Sequence, residues 1–474
     1  MAKMKSTFKN VLYDSSLFRI FFFVNLFLGS FMLLDAVAIG IDGIMMIWAG
    51  FIFKKQMKNN SLKNVEYNKI ILLFLASALF TTLLHAKMSF PLYLAFDFIM
   101  IYHYAICLLL LYGLAFDIEA SKQKISNEIL TVFKIVAYTT VVITFISFII
   151  LLFNEKITIY KETKFLGTIN YEIGIYQRPG IKRLTGVYSN PNILAFCSVL
   201  SIIFTHALIE SKNFLRKHSS LFKFICAICF FAINLAALIL SDSIASIVFL
   251  FFYLLFTLIY KIFFEKKSRS LFTLTVKIAS FLLIATGFAL ALLILKGDLQ
   301  TSFSKFISLI CPSYTGTFGR ENYDLSYGSG RKVLLEQAMI IFQHNPVFGV
   351  GISNIWKYGQ IYFEDGIAFP NFILGMSFPN FHNGYLTILA CYGAIGFLLF
   401  LTFIFLSLKN IVKQLVNKCN TNSMFPCISA AICAYLVYAL FEKTFLSEIN
   451  FMGVTFWLLL GYATYLSRIQ DGKS

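Results

Sequence analysis

The chain has 474 residues, of which 58% are hydrophobic, 17% aromatic and only 13% charged, with a mean hydropathy of +0.77. A water-soluble globule carries roughly 25% charged residues, so this composition excludes one. The net charge of +17 does not imply nucleic acid, because the lysines and arginines lie mostly between apolar runs, where they act as topology signals and contacts to anionic headgroups.

Apolar stretches follow one another near 17–34, 36–53, 70–86, 91–115, 132–153, 189–209, 222–240, 244–264, 274–295, 382–407, 426–440 and 450–467. Most approach the ~20 residues that a helix needs to cross hydrocarbon. Backbone polar groups in a bilayer must pair within a helix or a closed barrel, and these runs are too long and too uniformly apolar for barrel strands. The expected fold is therefore all-α, a polytopic transmembrane helix bundle of about twelve spans, with 1–474 as a single integral membrane domain. Stretch 17–34 reads as an uncleaved first span rather than a signal peptide.

Basic residues test this topology. Lys54, Lys55 and Lys58, then Lys122 and Lys124, then Lys212, Arg216 and Lys217, then Lys261, Lys266 and Lys267, then Lys409 and Lys413 all fall on one side. The short turns on the other side hold only Lys87 and Lys443. By the positive-inside rule both termini are expected in the cytoplasm. Most of the nine cysteines fall inside predicted spans, Cys311 being the one assigned outside, so no disulfide framework is implied. Cys226 and Cys229 have redox-motif spacing but no further Cys or His partners, and read as small apolar packers.

Two outer segments exceed a turn, 154–188 and the large loop 296–381. A loop of the second one's length is functional more often than a mere connector. Within it, 330–343 places Val333, Leu334, Ala338, Ile341 and Phe342 at helical spacing. This predicts an amphipathic helix lying on the membrane or against the bundle, with Ser329 as its N-cap. Ionisable residues inside spans, the usual mark of a transport path, are sparse: Asp35, Asp42, Asp97, His85, His103 and His206, with Asp242 in an outer turn. Asp97 and His103 read chiefly as buried, hydrogen-bonded structural groups.

The outer segments carry more chemistry. Arg183 precedes Gly186, Asn190, Pro191 and Asn192 at the end of the first, Arg331 follows Gly328-Ser329-Gly330 in the second, and His382 closes the second. Guanidinium forks suit the paired oxygens of phosphate, and a histidine takes a proton from a hydroxyl near neutral pH. The same residues also fit plain structural roles, since interfacial arginines snorkel to headgroups and a histidine at a helix start caps backbone.

The pattern Arg183-x-x-Gly186-x-x-x-Asn190-Pro191-Asn192, then Gly330-Arg331, Asn345-Pro346-Val347-Phe348-Gly349-Val350-Gly351, and His382-Asn383-Gly384-Tyr385-Leu386 with Gly393 and Gly396 resembles the O-antigen ligase and polymerase superfamily of bacterial envelope glycosyltransferases. It departs from that family at Cys391, where an acidic residue is common, and at Asp242-Ser243-Ile244, where an arginine often follows the serine. The resemblance implies a multi-pass protein of the bacterial cytoplasmic (inner) membrane. Its donor would be an undecaprenyl-diphosphate-linked glycan, and its acceptor either lipid A-core or a lipid-linked repeat. The reaction would be a direct inversion in surface polysaccharide biosynthesis, with no cofactor.

On that resemblance Arg183 and Arg331 stabilise the departing diphosphate and His382 is the base, with Asn190, Asn192, Asn383, Glu336 and Tyr385 as candidate substrate-binding residues. Glu321, Asp324 and Glu336 are rival bases. The chain has no Asp-x-Asp pair to hold a metal, so metal independence is expected. The rival function is a twelve-span polysaccharide flippase, which would place its ionisable groups near the midplane and show repeated halves.

Overall fold

The computed structural model describes residues 11–88, 91–116, 122–153, 156–163, 167–178, 181–211, 220–264, 319–320, 331–363, 371–373, 376–378, 381–416 and 424–470. The predicted span 274–295, most of the large loop, Cys311, Glu321, Asp324 and Ser329 lie outside these residues. Helices α1 (Ser15–Leu28), α2 (Asp35–Lys58), α3 (Asn68–Leu84), α4 (Pro91–Ala105), α5 (Lys122–Phe153), α6 (Pro191–Glu210), α7 (Ser220–Ser241) and α8 (Ile244–Phe263) form the first part of the bundle. After them come α9 (Arg331–His344), α10 (Ile355–Tyr362), α11 (Gly384–Val416), α12 (Met424–Tyr438) and α13 (Phe451–Gln470).

Among the described residues, six helical stretches are long and apolar enough to cross a membrane: Asp35–Lys58, Pro91–Leu114, Gln123–Leu151, Pro191–Glu210, Ile244–Ile262 and Gly384–Val416. Four shorter apolar helices join them. The amphipathic helix expected over 330–343 is α9, which buries Leu334, Ala338 and Ile341 against the core.

The bundle is all-helical, as expected, and carries small antiparallel sheets in its long connecting segments. The first long outer segment folds into strands β1 (Lys156–Thr163), β2 (Gly167–Arg178) and β3 (Ile181–Gly186). They pair antiparallel in sequence order, and β4 (Gly319–Arg320), from the second long segment, pairs with β3 through Ile181↔Arg320 and Lys182↔Gly319. The two long outer segments thus share one sheet. The physical reason is legible in β1, where Ile157 and Ile159 alternate with Thr158 and Tyr160, a two-residue period that suits a pleated strand. A second hairpin joins β5 (Asn371–Ile373) and β6 (Met376–Phe378).

Helix α5 begins ten residues before the predicted span, and a buried ion pair accounts for the extension. Glu128 is 1% exposed and accepts from Arg19 Nε and Nη2 (both 2.9 Å), Ser16 Oγ (2.6 Å) and Tyr462 OH (3.1 Å). One carboxylate therefore ties α1, α5 and α13 together. Removing either charge of such a pair costs about 3–5 kcal/mol, because it strands the other.

A backbone interlock fixes the late helices. Helix α11 breaks at Gly393, whose φ of 61° and ψ of −166° are not helical. The segment after α9 fills the break. Val350 N and Gly351 N donate to the carbonyls of Ala390 (3.2 Å) and Cys391 (2.8 Å), while Ala394 N and Ile395 N donate to Pro346 (2.8 Å) and Val347 (3.2 Å). A Cβ on Gly393 would meet Val347 and Gly349 backbone, and one on Gly349 would meet the Cys391–Tyr392 peptide. Side chains of α3 and α4 brace the same segment. Thr81 Oγ1 donates to the Phe348 carbonyl (2.7 Å), His85 Nε2 donates to that of Gly349 (3.0 Å), and Asp97 accepts from Ser353 N (3.1 Å) and Oγ (2.6 Å). Asp97 and His85 are thus used structurally.

Gly393→Ala combines a left-handed backbone with a steric overlap, so it is expected to destabilise by at least about 2 kcal/mol. Gly40→Ala, where a Cβ meets nothing within 4 Å, is expected to be neutral. Thermal unfolding of both variants in nanodiscs checks the contrast; equal melting temperatures would remove the interlock from the stability account.

Candidate functional site

The site forms where the sheet, the start of α6, the start of α9 and the mouth of α11 meet the α12–α13 turn. Asn190 caps α6, its Oδ1 accepting from Ile193 N (3.0 Å), and Pro191 occupies the first helical position. The chain before it is held to the α1–α2 turn by Met32 N to the Val187 carbonyl (3.0 Å) and Ser189 N to that of Ser30 (3.1 Å). This fixes Asn192 on the first turn. Arg183, on β3 opposite Tyr176, is 8% exposed. It donates from Nε to the Ser241 carbonyl (2.7 Å) and from Nη2 to Asn192 Oδ1 (2.6 Å). The Ser241-Asp242-Ser243 turn, with Asp242 at φ 47°, presents that carbonyl.

At the centre lies Glu442, a residue sequence reasoning passed over. It is 2% exposed. Its Oε1 accepts from Arg331 Nη2 (3.0 Å) and Asn192 Nδ2 (3.2 Å), and its Oε2 accepts from His382 Nδ1 (3.1 Å). Arg183, Asn192, Glu442, Arg331 and His382 therefore form one connected network drawn from five separate elements. The missed signal was modest: an acidic residue in the short α12–α13 turn, on the same side as the long outer segments.

Burial pushes the Glu442 carboxyl up, but the His382 hydrogen bond and the charges of His382, Arg331 and Lys443 outweigh it and hold the group below the usual carboxylate value. Because an ionised carboxylate only accepts, His382 donates from Nδ1, which leaves Nε2 as the basic nitrogen in the neutral ring. His382 is held at φ 47°, a left-handed conformation uncommon outside glycine. Backbone strain of this kind concentrates at functional sites.

The remaining candidates are placed differently. Asn383 caps α11, its Oδ1 accepting from Tyr385 N and Leu386 N (both 3.0 Å), while its Nδ2 donates to the Leu440 carbonyl (3.2 Å). Tyr385 OH donates to the Leu436 carbonyl (3.0 Å). Both tie the α11 mouth to α12. Glu336 is exposed and faces Lys332 on its own helix at 3.9 Å, away from the network. Cys391 is buried in the interlock, where its carbonyl rather than its thiol is used.

Chemically, one guanidinium and one imidazole on a buried carboxylate, with a second guanidinium joined through Asn192, are groups that could hold an anion beside a base. The bundle of apolar helices that carries this network is that of a polytopic membrane protein. Residues 227–401 match the family profile described as O-antigen ligase, and the chain is a membrane protein carrying an O-antigen ligase family domain. No curated protein matches the chain. The matched stretch contains Arg331 and His382, whereas Arg183, Asn192 and Glu442 lie outside it. The network joins them to it.

The sign of the pH dependence follows from Glu442. Its folded value lies below the unfolded one, so its contribution to stability is full above the ordinary carboxylate range and is lost as pH falls through the folded value. Glu442→Gln removes this dependence. Melting temperatures taken from pH 7 down to pH 3 should therefore fall more steeply in the native protein than in Glu442→Gln. Parallel curves would show that the carboxylate is not held in this way.

Proposed function

We propose that the protein is an O-antigen ligase- or polymerase-like glycosyltransferase that moves a glycan from undecaprenyl diphosphate to a sugar hydroxyl at the outer face of the bacterial cytoplasmic membrane, with both termini in the cytoplasm. The family domain supports the substrate class. The observation that carries the reading is the convergence of Arg183, Arg331 and His382 on Asn192 and Glu442.

The acceptor oxygen attacks the anomeric carbon from the side opposite the diphosphate, forming the new C–O bond. The bond from that carbon to the diphosphate oxygen breaks, and its electron pair leaves with the diphosphate. Negative charge therefore grows on the leaving group. Arg183 and Arg331 stabilise that charge more in the transition state than in the ground state, which is the condition for accelerating the step. His382 Nε2 takes the acceptor's proton. The displacement inverts the anomeric centre without a covalent intermediate. Asn192 positions Arg183, and Glu442 orients the imidazole. Asn383 and Tyr385 hold the chain that presents His382, and Asn190 holds the turn that presents Asn192.

His382→Ala is expected to abolish glycan transfer while leaving folding and membrane insertion intact; near-normal turnover would take the histidine out of the mechanism. Arg183→Lys and Arg331→Lys should each lose about 100-fold or more in turnover, because a point charge does not reproduce the bidentate fork. The reaction is also expected to run at full rate in a chelator. Activity lost in chelator and restored by magnesium or manganese would overturn the arginine-only account of the leaving group.

A further inference from the structure

The Glu442 carboxylate serves two side chains on separate oxygens, and they are held differently. Among the described residues Arg331 makes a single contact, Nη2 to Oε1 at 3.0 Å, and its side chain is 29% exposed. Glu442 itself is 3% exposed by side chain and lies in a tight turn, so it stays in place. Of the two partners, the arginine is the more exposed. His382 engages the other oxygen, Oε2, through Nδ1 at 3.1 Å.

We propose that Glu442 is a charge relay between donor binding and base strength: the diphosphate takes Arg331 away from Glu442, and the released carboxylate is then committed to His382. This rests on the glycosyltransferase reading above. A single-contact ion pair is weaker than a bidentate guanidinium–phosphate fork, so the diphosphate wins Arg331. With Arg331 gone, the carboxylate loses its strongest competing cation, and the field at Nδ1 becomes more negative. That field stabilises the positive charge the imidazole acquires when Nε2 takes the acceptor's proton. The base is strong only when a leaving group is in place, which makes the donor the first substrate to bind. Glu442 acts through His382 and is a positioning residue.

The other groups facing the carboxylate do not substitute for Arg331. Lys443 is engaged by Glu448, and Arg183 is joined to Glu442 through the Asn192 amide. Tyr438, on α12, is a buried phenol next to it that adds no positive charge.

The relay predicts opposite signs for binding and turnover in one variant. Glu442→Gln frees Arg331 from competition, so it should bind sugar-free undecaprenyl diphosphate about tenfold more tightly than the native protein, while turning over glycan about 100-fold more slowly. A residue needed only for folding would weaken both. Glu442→Asp, which keeps the charge, should recover part of the turnover. In the native protein, undecaprenyl diphosphate should also move the His382 Nδ1–H signal downfield in spectra of histidine-labelled protein in nanodiscs, with His382→Gln giving the assignment. Equal or weaker diphosphate binding by Glu442→Gln, or an unmoved Nδ1–H signal in diphosphate-saturated native protein, overturns the relay and leaves the glycosyltransferase reading standing. Native protein that does not bind undecaprenyl diphosphate at all overturns both.

Discussion

A carboxylate buried at the end of a helix bundle has to be surrounded by donors, and most of the site's geometry follows from that requirement at Glu442. Left without partners, a group this deep would cost several kcal/mol or give up its charge. Its donors come from α6, α9 and the mouth of α11. Each is delivered by a local device: the Asn190 cap and Pro191 for Asn192, the first turn of α9 for Arg331, and the left-handed backbone at residue 382 for the histidine. Arg183 joins at one remove, through Asn192. Elements far apart in the chain are thus held in register by one side chain contributed from a short turn.

The second constraint is the interlock at the α11 break. It separates two kinds of motif residue that look alike in sequence. Gly349 and Gly393 let two backbones approach closely enough to exchange hydrogen bonds, which fixes the segment after α9 against α11, and Gly351 supplies a positive φ of 80°. Arg331 begins α9 and His382 lies two residues before α11, so the glycines set the geometry of these two residues without touching them. The Asn345-Pro346-Val347-Phe348-Gly349 run is part of the frame, and Arg331 and His382 belong to the Glu442 network.

Hydropathy made the helices legible because burial in hydrocarbon leaves a signal in every residue of a span. The helices fall where the apolar runs were expected throughout the described residues, as does the amphipathic helix α9. What hydropathy does not register is tertiary pairing of polar groups. The start of α5 was placed too late because Arg19 and Glu128, each charged, cancel one another only in three dimensions. The sheet was read as two loops because β3 and β4 are far apart in sequence, and strand alternation is a weaker signal than a helical run. Glu442 was passed over for the same reason: a single acid in a short turn carries no topology information and gains meaning only from its partners. Arg183, Arg331, His382 and Asn192 were legible as a set because each sits in a motif with a fixed spacing. Of the other candidates, Asn383 and Asn190 cap helices, Tyr385 ties the mouth of α11 to α12, and Glu336 faces Lys332 in a helical i,i+4 pair.

The two arginines also differ in a way that bears on how such a site is built. Arg183 is buried and fixed, with Nε on the Ser241 carbonyl and Nη2 on Asn192. A guanidinium already held in place stabilises developing charge without reorganising during the reaction, which is the condition under which electrostatic stabilisation is most effective. Arg331 is more exposed and held by one contact to a carboxylate that His382 shares. On the glycosyltransferase reading the first arginine supplies preorganisation and the second supplies a sensor. A site with two fixed arginines would bind diphosphate equally well with or without a competent base beside it. One fixed and one movable arginine, joined through Asn192 and Glu442, make occupancy of the anion site and readiness of the base the same event.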